Sequence, residues 1–375
     1  MTAPLALDVL EELITTVVEP SAVEIDATAT FPRSAVSALG EHGILGLLNS
    51  RDVGGLGGTL DDAAQVVRRL ATSCGSTAMV VCMHYCAAVA IEQHGPDDIR
   101  REIAAGRHLS TLAFSESGSR SQFWAPIGTA TPDGDDIVLD ASKSWVTSAG
   151  EADSYVWSSQ PATAAQGASL WLVPSRAEGL KVAAPFDGLG LRGNASSPVL
   201  ATDVRIEASA RLGGDGEGLD IALGVVLPVF QVLSAASSLG MMDAAIAKTI
   251  AHVTTARFEH LDQVLAGQPV VRRHVAAMKS HADVADVLVA DTIAALAGGR
   301  ADAPLRMLQS KLVAGDAALS VLDTAMRVGG GAAFRKDIGI ERHFRDARAS
   351  AVMAPTIDAL HEFIGRALCG MPLFG

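Results

Sequence analysis

The sequence predicts an α+β protein in which a helical domain is followed by a β-strand domain and then by a four-helix bundle. Residues 1–108 and 217–375 carry apolar side chains at helical spacing, whereas residues 109–216 carry short apolar runs separated by turn sequences. The length of 375 residues is enough for two or three domains. We therefore expect an N-terminal helical domain over 1–108, a central β-barrel or sandwich over 109–216, and a C-terminal bundle over 217–375.

The composition and net charge indicate a globular protein and argue against one class of binding partner, nucleic acid. Hydrophobic residues make up 49% of the chain and charged residues 19%, which is typical of a globular protein. The net charge of -13 argues against a nucleic-acid partner, because no basic block is present to neutralise phosphates. Cys82, His84 and Cys86 lie close together but inside an apolar segment, which predicts a buried, reduced core more strongly than a metal site.

We do not expect a signal peptide in the first residues of this sequence. Asp8, Glu11 and Glu12 are acidic where a signal peptide would be basic. The uncharged run from Ile221 to Met242 is long enough to span a bilayer, but it contains Pro228 and has no basic flanks. We expect a buried helix there, no membrane association, and a cytoplasmic location.

The N-terminal domain is predicted to be built from short helices. Apolar residues from Leu5 to Val17 recur at helical spacing, and Pro20 and Pro32 predict breaks. Thr59 is expected to cap a helix that runs through Ala71. Two further helices are predicted over residues 36–42 and 76–93.

The central and C-terminal elements follow from the same reading. Pro132 to Asp135 is a turn sequence between two strands. The predicted strands are residues 110–114, 137–139, 144–147, 155–157 and 169–173. The predicted bundle helices are residues 221–257, 269–296, 304–328 and 357–368.

Residues 188–193 (GLGLRG) match the dinucleotide-binding pattern G-x-G-x-x-G. That pattern binds a pyrophosphate only where a strand precedes it and a helix follows it. Pro185 precedes the pattern here, and a turn sequence from Asn194 to Pro198 follows it. We therefore do not predict a Rossmann site.

The strongest functional signal lies near the C-terminus. A glycine cluster at 329–331 is followed by Phe334, by residues 345–348 (RDAR) and by Thr356. This spacing resembles the C-terminal pattern of the acyl-CoA dehydrogenase family of flavoproteins, in which a Glu-Gly-Thr sequence carries the catalytic base. The resemblance implies the acyl-CoA dehydrogenase fold and FAD as the cofactor. Ala354 stands where the family has that Glu, so the catalytic residue of this chain stays unknown.

Two central segments carry the same resemblance. Residues 112–121 (LAFSESGSRS) resemble the family's LTEPGAGSD segment, and residues 143–150 (KSWVTSAG) resemble its K-x-W-I-T-N/S-x-G strand. In the family these segments contact the flavin ring, where hydrogen-bond donors stabilise negative charge on the reduced ring. The resemblance implies flavin contacts for Phe114, Ser115, Trp145 and Thr147.

The resemblance also implies substrate contacts. Ser121 aligns with a CoA-contacting Ser, and Arg120 replaces a Gly, which would either add a phosphate contact or block the channel. Some members carry the catalytic Glu on the helix equivalent to residues 226–242, where Phe230 and Gln231 stand here and neither is basic. The acidic residues and histidine just downstream are expected on the surface of the last helix; they are Asp358, His361 and Glu362.

A further set of positions aligns with the family's contacts to the adenine half of FAD. Arg257 would hold the pyrophosphate, as suits a bidentate guanidinium. The family completes this site with a partner subunit's Q-x-x-GG-x-G-F/Y segment, which implies a homodimer or homotetramer. The implied FAD-binding residues here are Arg257, His260, Gln268, Arg327, Gly330, Gly331 and Thr356.

Three functions remain open at this point. The first is an FAD oxidoreductase acting on an acyl-CoA or a related small substrate, with its base relocated or absent. The second is a flavin-dependent monooxygenase, which the aromatic pair Phe123 and Trp124 would suit. The third is a non-catalytic partner subunit. The first would need an electron acceptor and the second a flavin reductase.

Overall fold

The computed structural model describes residues 7–120 and 122–374, and its mixed helix and sheet content confirms the α+β class. The chain forms two compact units. The first unit comprises Met1–Val66, Ser76–Gly188 and Arg192–Phe230. The second comprises Val67–Gly75, Leu189–Leu191 and Gln231–Gly375. The three domain boundaries predicted from the sequence stay predictions.

In the described part of the chain, six α-helices precede the sheets. They are α1 (Leu7–Leu13), α2 (Glu19–Thr28), α3 (Arg33–Glu41), α4 (Leu60–Ser73), α5 (Gly75–His94) and α6 (Asp97–Ala104). Thr59 caps α4 as predicted, since its hydroxyl accepts from the Asp62 backbone N–H at 3.2 Å while the Asp62 carboxylate accepts from the Thr59 N–H.

The predicted break at Pro20 is wrong. A wide π turn at Ile14–Val18 joins α1 to α2, so the helical path runs through Pro20. The same arrangement recurs at Ala222–Val226, two residues before Pro228. Proline lacks an N–H and clashes with the carbonyl of the preceding turn, and a wider turn accommodates both defects.

Two four-stranded sheets form the central part of the first unit. One has the order β1-β4-β5-β8 and the other β2-β3-β7-β6. The strands are β1 (Ser110–Ala113), β2 (Thr129–Asp133), β3 (Asp136–Val146), β4 (Ser154–Ser159), β5 (Ser169–Pro174), β6 (Leu180–Val182), β7 (Ser197–Glu207) and β8 (Arg211–Leu212). Every described residue of β4 is buried, which fixes it as a core strand.

Long helices dominate the C-terminal part of the chain. They are α7 (Gly218–Ile221), α8 (Leu227–Thr255), α9 (Pro269–Ala297), α10 (Ala303–Phe334), α11 (Ile340–Ala347), α12 (Ala349–Val352) and α13 (Ile357–Leu368), with a short hairpin of β9 (Arg257–Phe258) and β10 (Gln263–Val264) before α9. The RDAR sequence at 345–348 lies at the end of α11, and its Asp346 is buried and accepts from the Leu191 N–H at 2.6 Å. Gly190 is required there, because a Cβ would lie 2.4 Å from the Arg345 carbonyl.

Within residues 7–120 and 122–374, two helices are long and apolar enough to cross a membrane by length and composition alone, namely Gly75–His94 and Gly218–Thr255. Most of each is buried within the protein, 83% and 61% of their most apolar windows respectively. This confirms the prediction that the uncharged run from Ile221 to Met242 forms a mostly buried helix.

Two histidines are fully buried, one in each unit. His84 in α5 is satisfied: its Nδ1 accepts from the Ser110 N–H and its Nε2 donates to the Leu45 carbonyl, both at 3.1 Å. His343 in α11 has no hydrogen-bond partner on either ring nitrogen among the described residues. Burial lowers the pKa of His84 to about 4 and that of His343 to about 3.

These histidines predict acid sensitivity. Their pKa values are below the unfolded value of 6.5, so the unfolded chain binds more protons and stability is lost as the pH falls below 6.5. Each histidine should cost about 1.4 kcal/mol of unfolding free energy per pH unit. Denaturant unfolding between pH 6.5 and 5 should show a smaller loss in His343→Leu than in the wild type.

Replacing the exposed His361 by Leu provides the control, and it should leave the pH slope of the wild type unchanged. The His343→Leu variant should also be more stable than the wild type at pH 7, because a buried polar group without a partner costs about 1 to 3 kcal/mol. An unchanged slope in His343→Leu would contradict the neutral, unpartnered state of this side chain.

Candidate functional site

The first candidate segment begins where β1 ends. Phe114 and Ser115 follow β1 and are both half-buried. The Ser115 carbonyl accepts from the Ser144 N–H and the Ser142 carbonyl accepts from the Ser117 N–H, both at 2.9 Å. The segment that resembles LTEPGAGSD therefore lies against the segment that resembles K-x-W-I-T-N/S-x-G, as is expected if both contact the predicted flavin.

A buried ion pair joins these two segments. Lys143 Nζ lies 2.7 Å from Glu116 Oε1, and both side chains are almost fully buried. Lys143 also donates to the Ser158 carbonyl at 2.6 Å and to its hydroxyl at 3.0 Å. Burial lowers the pKa of Lys143 to about 8, against the opposing effect of Glu116.

Trp145 is exposed and has an unusual backbone conformation. Its side chain is 71% exposed, and its φ of 58° lies in the left-handed region. The register between β3 and β7 shifts between Lys143 and Val146, so the bulge turns Trp145 outward. A left-handed non-glycine residue costs about 1 to 3 kcal/mol and is concentrated at functional sites. An exposed ring held in this way fits the flavin contact predicted for it.

Thr147 follows in the same strand end and is buried. Its hydroxyl lies 3.1 Å from the hydroxyl of Ser196. The backbone N–H of Ser148 donates to the Asn194 carbonyl at 2.9 Å, which anchors the residues after Trp145. The sequence 188–193 that matches the dinucleotide pattern lies between β6 and β7 with no helix after it, so its rejection as a Rossmann site is confirmed.

The predicted substrate residues of the first unit are only partly described. Arg120 is exposed and has a left-handed φ of 47°, whereas Ser121 lies outside the described residues. Phe123 and Trp124 form an edge-to-face pair with ring centroids 5.3 Å apart. The described part of this segment thus presents one guanidinium and one aromatic pair.

In the second unit, Arg257 begins the β9–β10 hairpin. Its guanidinium forms an ion pair with Asp262, and its side chain is 45% exposed. Gln268 lies at the N-terminus of α9, where its amide donates to Gln263 at 3.3 Å, and His260 is exposed between them. The guanidinium also donates to the Asp262 backbone carbonyl at 3.3 Å. A half-exposed guanidinium whose ion-pair partner is a surface carboxylate can exchange that partner for a phosphate.

The glycine cluster lies inside α10 and bends it. Gly330 has φ 53° and ψ -134°, a conformation open to glycine alone, and nothing lies within 4 Å of where its Cβ would be. Gly331 is equally open, Arg327 is exposed, and Phe334 is 82% exposed. An open kink flanked by an exposed cation and ring fits the predicted contact with a flavin nucleotide of a partner subunit.

The loop that carries Ala354 is fixed by a buried lysine. Lys311 in α10 donates to the carbonyls of Ser350, Met353 and Pro355 at 3.2, 3.1 and 2.8 Å. Ala354 is half-buried and offers no side chain that accepts a proton. Thr356 caps α13 by accepting from the Ala359 N–H at 3.2 Å, a structural role beside its predicted FAD contact.

Gln231 is fully buried in α8, and neither its amide oxygen nor its amide nitrogen has a partner among the described residues. Such an amide would accept a polar ligand group or water. The three side chains Asp358, His361 and Glu362 are exposed on α13, as predicted.

Cys82, His84 and Cys86 are buried, as predicted, and burial raises the pKa of the Cys86 thiol. Across residues 7–120 and 122–374, no group of three or more His, Cys, Asp or Glu side chains is placed to hold a metal ion.

Sequence reasoning missed three residues that organise these segments, namely Glu116, Lys143 and Lys311. Glu116 and Lys143 both fall inside the segments that carry the resemblance, so their opposite charges were a usable signal. Lys311 interrupts an apolar stripe, and a lysine on a buried helix face requires carbonyl or carboxylate partners.

The chain matches known protein families along most of its length. Models of three domains match successive parts of the chain: "Acyl-CoA dehydrogenase, N-terminal domain" matches residues 5–106, the middle domain of the same description matches 111–204, and its C-terminal domain matches 216–369.

Individual relatives are similar along almost the whole chain. Probable acyl-CoA dehydrogenase YngJ of Bacillus subtilis is 25% identical over 363 residues, covering 94% of this chain and 93% of that protein. The mitochondrial short-chain specific acyl-CoA dehydrogenase of Bos taurus is 27% identical over 351 residues, covering 90% and 82%. Butyryl-CoA dehydrogenase from Megasphaera elsdenii has the same fold, with a TM-score of 0.91 at 22% identity, covering 98% of this chain and all of that one.

Proposed function

This chain belongs to the acyl-CoA dehydrogenase family, and we propose that it is an FAD-dependent oxidoreductase acting on an acyl thioester or a related small substrate without the family's usual Glu base. The observation that supports FAD most directly is Trp145, an exposed aromatic ring held in a left-handed backbone conformation.

The residues of each unit fit parts of the cofactor. In the first unit, Trp145 would contact the flavin ring and the backbone beside Ser115 would supply polar contacts. In the second unit, Arg257 would bind phosphate, and the open backbone at Gly330 and Gly331 would approach a partner subunit's nucleotide. When bound, FAD would accept a hydride from the substrate, and with it the two electrons that the substrate loses.

The cofactor assignment predicts the effect of Arg257→Ala. Loss of the guanidinium removes a charge-assisted contact to phosphate, so the Kd for FAD should rise by about 10- to 100-fold. Equilibrium titration of the FAD-free protein, followed by flavin fluorescence, measures this change.

Arg300→Ala is the matched control for this experiment. Arg300 is 43% exposed and is paired with surface carboxylates, as Arg257 is, but it lies between α9 and α10 at a position with no predicted cofactor role. Its Kd for FAD should equal that of the wild type. Equal affinity in Arg257→Ala would remove Arg257 from the cofactor site.

The site handles the proton differently from the family pattern. The family removes the α-proton of an acyl-CoA with a carboxylate, and such a base must lie within hydrogen-bond reach of that proton. Ala354 cannot accept it, and the amide of Gln231 is not basic. We propose a substrate contact for Arg120 in the first unit and, independently, a substrate contact for Gln231 in the second unit, and that proton removal uses a relocated base or none.

One observation favours an alternative. The aromatic pair Phe123 and Trp124 follows the predicted flavin segment, and a flavin-dependent monooxygenase needs no α-carbon base. In that function a separate reductase would supply reduced flavin and the aromatic pair would hold an apolar substrate. A non-catalytic partner subunit is the third candidate, and it rests on the absent carboxylate alone.

Anaerobic mixing of the FAD-loaded protein with butyryl-CoA and longer saturated acyl-CoAs separates these functions. Loss of flavin absorbance supports the dehydrogenase function. Absorbance that is unaffected by acyl-CoA, with oxygen-dependent product formed only after chemical reduction of the flavin, supports the monooxygenase. A protein that takes up no FAD contradicts both and leaves the non-catalytic subunit.

We further propose that the protein acts as a homodimer or homotetramer in the cytoplasm, with an electron acceptor as its redox partner. The exposed Phe334 beside the kink at Gly330 supports a second copy at that position. Light scattering at several protein concentrations tests the assembly.

A further inference from the structure

Glu116 and Lys143 occupy a central place among the predicted flavin contacts. Glu116 directly follows Ser115, and Lys143 lies two residues before Trp145. The two residues face each other as an isolated antiparallel bridge, and their side chains form the ion pair at 2.7 Å. Neither Glu116 nor Lys143 is among the predicted flavin or substrate contacts.

The Glu116 carboxylate closes the base of a loop. It accepts from the backbone N–H of Ile127 and from that of Gly128, the latter at 3.0 Å. These residues are the return end of the segment that leaves β1, so one side chain holds both ends of that segment. A carboxylate that accepts two backbone N–H bonds and one ammonium bond is almost fully satisfied.

The Lys143 ammonium anchors the pair to the other sheet. Lys143 lies in β3, whereas its acceptor Ser158 lies in β4, and these strands belong to different four-stranded sheets. The ammonium also lies 5.0 Å from the ring centroid of the buried Trp157. The ion pair therefore links both sheets and the loop.

Trp145 is held between this pair and a second anchor. Before it, the Ser144 N–H donates to the Ser115 carbonyl at 2.9 Å. After it, Val146 pairs with Ser197 and the Ser148 N–H donates to Asn194. The Trp145 ring has an edge-on contact with Phe186, with centroids 6.4 Å apart, but it remains 71% exposed. Because this single edge contact leaves most of the ring unpacked, we infer that the fixed residues on either side impose the left-handed conformation.

We propose that Glu116 and Lys143 are positioning residues that hold Trp145 in its exposed left-handed conformation, as a preorganised surface for the flavin ring. The identification of that ring as flavin rests on the proposed function, whereas the positioning of Trp145 does not. Preorganisation of this kind raises affinity by removing the ordering cost from the binding step.

The test uses a variant that removes both charges together, Glu116→Gln with Lys143→Met. Removing only one partner would leave a buried uncompensated charge and risk unfolding, whereas removing both avoids that penalty. Asp133→Asn is the matched control, because Asp133 forms an ion pair with Arg205 on the same sheet as Lys143 but both side chains are more than half exposed. Trp145→Phe identifies the emission that belongs to Trp145.

Two measurements are made on each folded variant. Acrylamide quenching of Trp145 emission in the FAD-free protein reports how exposed the ring is, and titration reports the Kd for FAD. In the double variant we expect the quenching constant to change and the Kd to rise by about tenfold or more, in protein that remains folded at the assay temperature. Asp133→Asn should match the wild type in both measurements.

A double variant that folds and keeps both the wild-type quenching constant and the wild-type Kd overturns the proposal. A wild-type protein that binds no FAD contradicts the proposed function, and the quenching measurement then decides the positioning role by itself. Should the double variant not fold, Ser158→Ala removes one acceptor of Lys143 and is measured in the same way; unchanged quenching in that variant also overturns the proposal.

Discussion

Glu in place of Ala354 is expected to raise the rate of flavin reduction by an acyl-CoA by about 100-fold, because an aligned general base contributes about 10² to 10⁴ to a proton transfer. The loop at this position is already fixed, since the carbonyls on either side of Ala354, those of Met353 and Pro355, are bound by Lys311. A carboxylate introduced there would start from a rigid backbone. Anaerobic stopped-flow absorbance with butyryl-CoA measures the rate.

Ala354→Gln is the control that separates the effect of side-chain size at position 354 from the effect of a basic carboxylate there. Gln has the size of Glu but does not accept the proton, so its rate should stay at the wild-type value. Equal rates in Ala354→Glu and the wild type would mean that the site serves other chemistry, and the monooxygenase would become the favoured function. A gain in both variants would point to packing and not to a base.

Lys311→Met is expected to have the largest effect on stability, lowering the free energy of unfolding by about 3 to 5 kcal/mol. Methionine has nearly the same length but no donor, so the carbonyls of Ser350, Met353 and Pro355 all lose the Lys311 hydrogen bond. A buried polar group left without a partner costs about 1 to 3 kcal/mol. Denaturant unfolding at pH 7 measures the change.

Lys279→Met is the control for this substitution. Lys279 is an exposed lysine on α9 that pairs with Asp283 one turn away, and such pairs contribute about 0.3 to 0.5 kcal/mol. Its stability should stay within about 0.5 kcal/mol of the wild type. If Lys311→Met were no less stable than Lys279→Met, the loop at Ala354 would have to be held by other contacts.

The sequence alone was enough for the family, the α+β class and the order of a helical part, a strand-rich part and a second helical part along the chain. These features depend on local apolar periodicity and on motifs such as 345–348 that keep the family's spacing. Both can be recognised in the sequence without knowledge of the fold. The helix predicted over 357–368 was confirmed at both ends. The helical path through Pro20 was not predicted, because a π turn of five residues is too short to be recognised from the spacing of apolar residues.

The sequence also named the cofactor candidates by alignment, but it did not reveal what holds them. The roles of Glu116, Lys143 and Lys311 depend on residues far away in the chain, such as Ser158 and Pro355. A buried charge is stable only where folding brings its partners within hydrogen-bond distance.

What the sequence determined, then, is the family of this protein and the absence of a carboxylate at position 354. The tertiary structure alone decided that Trp145 is exposed in a left-handed conformation and that a buried lysine fixes the loop at Ala354. The physical reason is that apolar periodicity is a property of residues that are neighbours in the sequence. The hydrogen bonding of buried polar groups depends instead on contacts between residues that are far apart in the sequence.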